Sequence, residues 1–336
     1  MNLALWHWHI EISSKCTLRC PRCPRTEVPE SLINTELNLD FFTKNFTKEF
    51  ILNHVDRITF CGDDGDPIYA HDLVKVIKYF KSIKPVSITL ITNGSYKNKN
   101  WWVELASALD ENDEIHFSID GYNHETNIQY RINSDFKSIM EGIKIVRRYS
   151  NCYMFWDLIL FKFNENHLDT VTDLAKKLGF DYLQITKSSK FGAIDSRYKN
   201  DNLQPSIENV ATTRQYEKSS VNLSNRKMRD NFTNKVRNLY QNIKIGDEQI
   251  VPLCYTGLKG LFINSLGEFY PCCWVANRYQ HNDEWLKLGK KFNLHEQNLN
   301  EVLDNSFWKT NFYSNQSTCL HKCNKSNPLI NYSFDF

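Results

Sequence analysis

Ten cysteines stand in this chain of 336 residues, and they are unevenly placed. Cys16, Cys20 and Cys23 form C-x3-C-x2-C near the start, Cys254, Cys272, Cys273, Cys319 and Cys323 fall near the end, and Cys61 and Cys152 stand alone. An even count allows five disulfides, but disulfide-dense proteins are small and secreted. A chain of this length builds a core without such staples. The cysteines therefore read as metal ligands in a reducing compartment, with a cytoplasmic location expected. Three closely spaced thiolates cannot all pair as local disulfides. A structural zinc site needs a fourth protein ligand close by. A cubane iron–sulfur cluster also needs four, unless one iron is left open to a substrate. An open iron is what a chemistry site requires.

Other residue types with chemical potential are fewer. His7, His9 and Glu11 alternate, so on a strand they share one face, with Trp6, Trp8, Ile10 and Ile12 on the other. That polar face is either a hydrogen-bonded layer or a set of groups reaching substrate. The acidic run Gly62-Asp63-Asp64-Gly65-Asp66-Pro67 is either a solvated turn or part of a divalent-cation site. Cys61 beside it reads as a buried thiol or a redox-active one, and Cys152 reads as core. Cys254 and Cys272, with Gly267 between them, give C-x12-G-x4-C. A four-cysteine structural zinc site is compatible with that spacing.

These residues need elements to position them. Strand expectations are Leu5–Ile12, Arg57–Cys61, Ser87–Thr92, Glu114–Ile119, Tyr153–Phe161 and Tyr182–Thr186, all rich in β-branched or aromatic residues. Helical spacing of apolar residues fills the gaps: Asp72 is expected to cap Leu73–Ile83, and Phe136–Tyr149 and Leu168–Leu178 repeat the pattern. Such alternation implies a parallel sheet with helices outside it. Six units to about residue 187 suit a partial (β/α)6 barrel of TIM-like design, with ligands bound at the carboxyl ends of the strands. The polar stretch Lys187–Gln249 breaks the period and reads as a linker or insertion, with a short helix at Val236–Ile243. Beyond it, LKGLFI and EFYPCC read as two strands joined at Asn264-Ser265-Leu266-Gly267, and Leu299–Phe312 as a helix. The division expected is 1–187 barrel, 188–250 linker, 251–323 small α+β cysteine-rich domain and 324–336 tail. Lys+Arg 41 against Asp+Glu 39 leaves a net charge of +2, which gives no electrostatic case for nucleic acid or an anionic membrane. No run of 18 apolar residues exists to span a bilayer, and the first residues lack a basic start, so no secretory signal is expected.

The first cluster and its setting resemble the radical SAM superfamily. C-x3-C-x2-C after the first strand of a partial barrel is that family's signature, and SSKCTLRCPRC matches it locally. The resemblance implies that Cys16, Cys20 and Cys23 hold a [4Fe–4S] cluster. Its fourth iron would chelate S-adenosylmethionine, whose reductive cleavage gives a 5′-deoxyadenosyl radical that abstracts hydrogen from a substrate C–H bond. Gly65-Asp66-Pro67 resembles the end of the family's GGEP stretch by the methionine amino group, with Asp for Glu and two additional residues after Gly62. Thr92-Asn93-Gly94 ends the third strand as in many members. Ser118-Ile119-Asp120-Gly121 resembles the S-x-D-G stretch by the cofactor ribose. Arg131 stands where the following segment carries an Arg, either facing the cofactor carboxylate or in a surface ion pair. The implied cofactor contacts are thus Gly65, Asp66, Asn93, Ser118, Asp120 and Arg131.

The spacing around Cys254 and Cys272 resembles the SPASM and twitch extensions of that family. A full SPASM domain carries more cysteines than remain here, so a twitch-like domain with one auxiliary [4Fe–4S] cluster is implied. Its ligands would be Cys254, Cys272, Cys319 and Cys323, with Cys273 spare or exchanging roles with Cys272. Successive strand residues face opposite ways, so both would not bind alike. The family relation implies an oxidation or cross-link of a peptide, small molecule or carrier-bound substrate, with an electron donor such as flavodoxin or ferredoxin. The first strand begins within ten residues, which leans toward a small or carrier-bound substrate. The rival from another class is a non-catalytic zinc or iron–sulfur module that recognises a partner.

Overall fold

The computed structural model describes residues 6–188, 201–206, 212–215, 254, 260–276 and 283–307. Strands and helices alternate as the periodicity implies: β1 (His7–Ile10), α1 (Pro24–Glu27), α2 (Leu39–Asn45), α3 (Lys48–His54), β2 (Arg57–Phe60), α4 (Leu73–Ile83), β3 (Ser87–Thr92), α5 (Lys99–Ala108), β4 (Glu114–Ser118), α6 (His124–Asn127), α7 (Phe136–Tyr149), β5 (Tyr153–Leu160), α8 (Leu168–Leu178) and β6 (Tyr182–Lys187). Then come β7 (Thr212–Gln215), β8 (Leu261–Ile263), β9 (Phe269–Tyr270), α9 (Cys273–Ala276), α10 (Asp283–Lys291) and α11 (Leu299–Asp304). The long strands run parallel, and the antiparallel strands β7 and β9 lie at the edges. The result is the α/β class with parallel strands that the alternation implies.

Contacts divide the chain into two compact units, the first comprising Met1–Cys16, Val28–Leu90 and Asn222–Tyr332. Its strands follow the order β3-β2-β1-β8-β9, with β8 parallel to β1 through Trp8↔Leu261 and Ile10↔Ile263. All four residues of β2 are buried, as expected of a parallel strand covered on both faces. Trp8 and Ile10 point to the helix side and are fully buried. There Phe46 meets Trp8 at 5.2 Å, Phe50 at 5.8 Å and Phe80 at 5.4 Å between ring centroids. Truncating Phe46 to Ala is expected to cost about 3–5 kcal/mol.

The second unit comprises Thr17–Glu27, Ile91–Val221 and Ser333–Phe336. Here β4, β5 and β6 run parallel and β7 pairs antiparallel with β6. Helix α7 starts where the Asp135 side chain accepts the Ser138 N–H, buries Ile139, Ile143 and Val146, and ends on Arg147 and Arg148, which suit the negative end of the helix dipole. Trp102, Phe117, Phe180 and Trp156 form a chain of ring contacts at 5.8, 6.0 and 5.4 Å.

Several local expectations need correction. Asp72 occupies the N-cap position of α4 but accepts no helix N–H. Its carboxylate instead accepts from Leu39 N at 3.1 Å and Lys75 Nζ at 2.8 Å, tying α4 to the start of α2 and lowering its pKa to about 2, with Lys75 the leading cause. The strand EFYPCC stops at Tyr270, because Pro271 has no N–H to continue the ladder. Cys273 then opens α9, so Cys272 and Cys273 are not successive strand residues. The last helix ends at Asp304, where Asn305 is the C-cap. The turn at Asn264–Gly267 forms as expected: Gly267, at φ 78°, takes the left-handed conformation and donates its N–H to Asn264 O at 3.0 Å. The helix expected at Val236–Ile243 lies outside the described residues.

Candidate active site

The chain leaving β1 toward Cys16 is pinned before it reaches the first cysteine. Ser13 bridges to Glu36, and Leu37 N donates to Ile12 O at 2.9 Å. The Ser14 hydroxyl donates to Ile33 O at 2.6 Å and accepts Thr35 N at 2.9 Å. Lys15 pairs with Glu36 at 3.2 Å, and its carbonyl accepts Asp66 N at 3.0 Å. That last bond brings in the loop after β2. A Cβ on Gly65 would lie 2.2 Å from Ser13 O, so only glycine lets the two backbones meet. Asp66 caps the turn that follows, accepting Ile68 N at 3.1 Å.

Glu11 holds the same loop from just past β1. One carboxylate oxygen, Oε1, accepts Asp64 N at 2.6 Å and Gly65 N at 3.3 Å. Burial, followed by repulsion from Asp64, raises its pKa to about 7, against the pull of the Asp64, Gly65 and Ser265 N–H groups. His7, on that same face, hydrogen-bonds Thr59 Oγ1 at 3.0 Å. The polar face of β1 is thus in part a hydrogen-bonded layer and in part a support for the loop.

In the second unit the rest of the cysteine motif is anchored to residues 131–133. Arg19 N donates to Ile132 O at 3.0 Å, and Asn133 Nδ2 donates to Thr17 O at 2.8 Å. Cys23 N donates to Cys20 O at 3.1 Å, and Cys23 O receives the first N–H groups of α1. Cys20 is buried, which pushes its thiol up to about 11, against the opposing pull of the Arg131 charge. Arg131 Nε donates to Asp120 Oδ2 at 2.6 Å. Arg131 is therefore in an internal ion pair and not in the surface pair that a loop position allows. Asp120 is fully buried and its other oxygen accepts Ile159 N at 2.8 Å. Burial raises its pKa while Arg131 opposes the rise. Asn127 Oδ1 accepts Asp120 N at 3.0 Å and Asn164 Nδ2 donates to Asp120 O at 2.9 Å, so every polar group of Asp120 is used.

The other residues singled out in the sequence are placed as follows. Asn93 is buried in a tight turn, its Oδ1 accepting Ser95 N at 2.9 Å. Ser118 ends β4 opposite Asp157. Arg131 lies beside Cys20 and is hydrogen-bonded to Asp120, while Gly65 and Asp66 join the chain segment entering the motif. Cys254 is buried, Cys272 and Cys273 are half-buried, and none of the eight described cysteines is in a disulfide. Cys319 and Cys323 lie outside the described residues. Among the described residues no three His, Cys, Asp or Glu side chains converge on one metal position, and no helix is long and apolar enough to cross a membrane.

Glu114, His116 and Asp157 form a further polar group beyond the residues singled out in the sequence. His116 is fully buried, with Nδ1 at 3.0 Å from Asp157 Oδ2 and Nε2 at 3.6 Å from Glu114 Oε2. Its ring stacks on Phe155 at 4.1 Å. Burial alone would lower its pKa, but Asp157 and then Glu114 outweigh that and raise it to about 9. Glu114, His116 and Ser118 alternate on β4 as His7, His9 and Glu11 do on β1, so the same period-2 signal was available.

The family model for the Radical SAM superfamily matches residues 10–178, and this chain belongs to that superfamily. Among solved structures, SuiB from Streptococcus suis bound to S-adenosylmethionine is 14% identical, with a TM-score of 0.57 over 94% of this chain and 70% of that one. SuiB bound to the precursor peptide SuiA gives 0.58 over 94% and 68% at the same identity. Hexahistidine-tagged anSMEcpe with bound AdoMet is 15% identical, with a TM-score of 0.52 over 89% of this chain and 77% of that one. At such identities the likeness is one of fold. A stretch of 151 residues is 29% identical to the GTPase Obg of Brachyspira hyodysenteriae (strain ATCC 49526 / WA1), covering 43% of this chain and 22% of that protein. The chain thus spans about a fifth of the length of that relative.

Proposed function

We propose that this chain is a radical SAM enzyme in which Cys16, Cys20 and Cys23 hold a [4Fe–4S] cluster that binds S-adenosylmethionine. Three sulfur donors within eight residues fit an iron–sulfur cluster with one open iron better than a closed zinc site. The observation that carries the reading is the ion pair of Arg131 with Asp120, which sets a guanidinium beside the buried Cys20. A ligating cysteine must be a thiolate; burial alone holds this thiol protonated, and the guanidinium fixed beside it pulls the other way. When bound, the cluster supplies an electron that cleaves S-adenosylmethionine and yields a radical able to take hydrogen from a substrate C–H bond.

The chain's own residues bind and orient. Gly65 and Asp66 offer backbone to the methionine end of the cofactor, with Asn93 and Ser118 at the ends of β3 and β4. Asp120 and Arg131 act by fixing Cys20 and the loop around it. The modification is an oxidation or cross-link, drawing electrons from a donor such as flavodoxin or ferredoxin. SuiB, similar in fold, has been solved with a precursor peptide, which favours a peptide over a small-molecule or carrier-bound substrate. Cys254, Cys272, Cys319 and Cys323 are assigned to one auxiliary [4Fe–4S] cluster in a twitch-like region over 251–323, after a barrel over 1–187 and a connecting stretch over 188–250. Those four cysteines would hold the cluster through protein ligands alone, and it would supply electron transfer or structure rather than a substrate-chelating iron.

Anaerobic reconstitution tests this reading. It is expected to give about eight irons and eight sulfides per chain, from two cubanes. Replacing Cys16, Cys20 and Cys23 together by Ala should leave about four. Cys319→Ala should remove one cluster, keep 5′-deoxyadenosine formation and lose product. Stability is to be measured alongside, since metal binding is coupled to folding in such units. Stoichiometric zinc in place of iron would overturn the assignment.

A further inference from the structure

The loop after β2 is built in a way that the cysteine motif does not explain. Its backbone runs against Ser13 and Ser14, and two of its N–H groups are collected by one oxygen of a buried side chain just past the neighbouring strand. That side chain, Glu11, is 3% exposed. The N–H of Ser265, in the β8–β9 turn, also favours its charged form. Two segments distant in sequence thus act on a single carboxylate. A carboxylate accepting several N–H groups binds them more strongly than a neutral acceptor does, by roughly a factor of two per bond.

We propose that Glu11 is a positioning residue that holds the 62–66 loop in its cofactor-binding form, and that its protonation loosens S-adenosylmethionine. The inference rests on the reading that this loop meets the cofactor. The groups around Glu11 allow its charge to change near neutral pH. Asp64 faces it from the loop and raises its pKa by repulsion. The β8–β9 turn contributes the Ser265 N–H, while the carboxylate of Glu268 at the end of that turn is taken up by Asn264 and Tyr270. From β2, Cys61 lies alongside, its N–H donating to Ile10 O at 3.3 Å, and His9 precedes Glu11 on its own face of β1. The carboxylate form is the one favoured by the three N–H groups, so by reciprocity it is the form that fixes the loop. The midpoint expected is about 7.

The experiment compares the reconstituted holoenzyme with Glu11→Gln, which keeps an acceptor oxygen and the volume but cannot ionise. S-adenosylmethionine affinity is measured anaerobically from about pH 6 to about pH 8.5, together with the rate of substrate-free cleavage. The cofactor's own amine titrates alike in both proteins, so the ratio of their affinities isolates Glu11. That ratio is expected to be near one at the acid end and to rise to about tenfold in favour of wild type at the basic end, a size set by hydrogen bonds to a charged acceptor. The effect should fall on KM for S-adenosylmethionine, with the maximal cleavage rate little changed. Glu11→Asp, which retains the charge, should restore part of the pH dependence. A pH-independent ratio, with wild type still binding and cleaving S-adenosylmethionine, would overturn the role of Glu11 alone. Failure of wild-type holoenzyme to bind the cofactor would overturn the parent reading and this inference with it.

Discussion

At the end of β2, residues 62–66 are held from outside the loop, by the carboxylate of Glu11, just past β1, which accepts backbone N–H groups. At the end of β4, residues 119–134 are held from within, by the ion pair of Asp120 with Arg131 and by Asn127, whose Oδ1 accepts Asp120 N and whose Nδ2 donates to Ser134 Oγ at 2.9 Å. Both loops use a buried carboxylate. The first is opposed by Asp64 rather than matched by a cation, so burial and repulsion bring its titration to about 7. The second faces a guanidinium that opposes the rise burial imposes on it. The first loop is thus fixed by a carboxylate with no cation beside it among the described residues, and the second by a carboxylate held to a cation.

The largest effect expected from breaking this comparison is at Asp120. Asp120→Ala leaves Arg131 buried without its partner and Ile159 N without an acceptor. Breaking a buried pair on one side costs about 3–5 kcal/mol. Denaturant midpoints should show that loss, and the Asp120→Ala, Arg131→Met double variant should recover part of it. A single variant as stable as wild type would show that the pair does not hold the loop.

Gly65→Ala should be next. The added methyl would meet Ser13 O and force the backbones of the loop and of the cysteine-motif entry apart. Overpacking of this kind costs about 1–3 kcal/mol. It should weaken S-adenosylmethionine binding more than Glu11→Gln does, because the alanine shifts the loop at every pH. Equal affinity to wild type would mean that the contact with Ser13 does not set the loop's position.

The effect spread over a pH range, rather than present at every pH, is a pH dependence of stability from His116. Its folded pKa of about 9 lies above the ordinary 6.5. The stabilisation is therefore fully present below pH 6.5 and is lost as pH rises through 9. The slope is about 1.4 kcal/mol per pH unit inside that window. Unfolding measured from about pH 6 to about pH 9.5 should show the decline in wild type, and His116→Gln should flatten it. An unchanged slope in the variant would assign the decline to other groups.

Much of this arrangement was legible in the sequence. The six parallel strands and the helices α4, α7 and α8 follow from period-2 and period-3.6 patterns of apolar residues, because burial against the sheet enforces them. The cysteine motif was legible because three soft ligands at fixed spacing have few other uses. What was not legible is contact between residues distant in sequence. Nothing local to Glu11 says that it collects N–H groups from residues 64 and 65. Asp120 and Arg131 were both singled out, each for the cofactor, yet the structure pairs them with each other. Asp72 sits at a cap position, but a lysine one turn on and the start of α2 compete successfully for its oxygens. The strand β7 was missed because Thr-Thr-Arg-Gln carries no apolar alternation; it pairs at the edge of β6 through its backbone.

The central claim is that the C-x3-C-x2-C loop supports radical cleavage of S-adenosylmethionine. The direct measurement is 5′-deoxyadenosine formed by the reconstituted, dithionite-reduced protein, alongside Cys20→Ala prepared the same way. Slow formation by wild type, with none above background from Cys20→Ala, is the result predicted, since loss of one ligand loses the cluster. Equal formation by both proteins, or none by a wild type that carries its full iron, would contradict it.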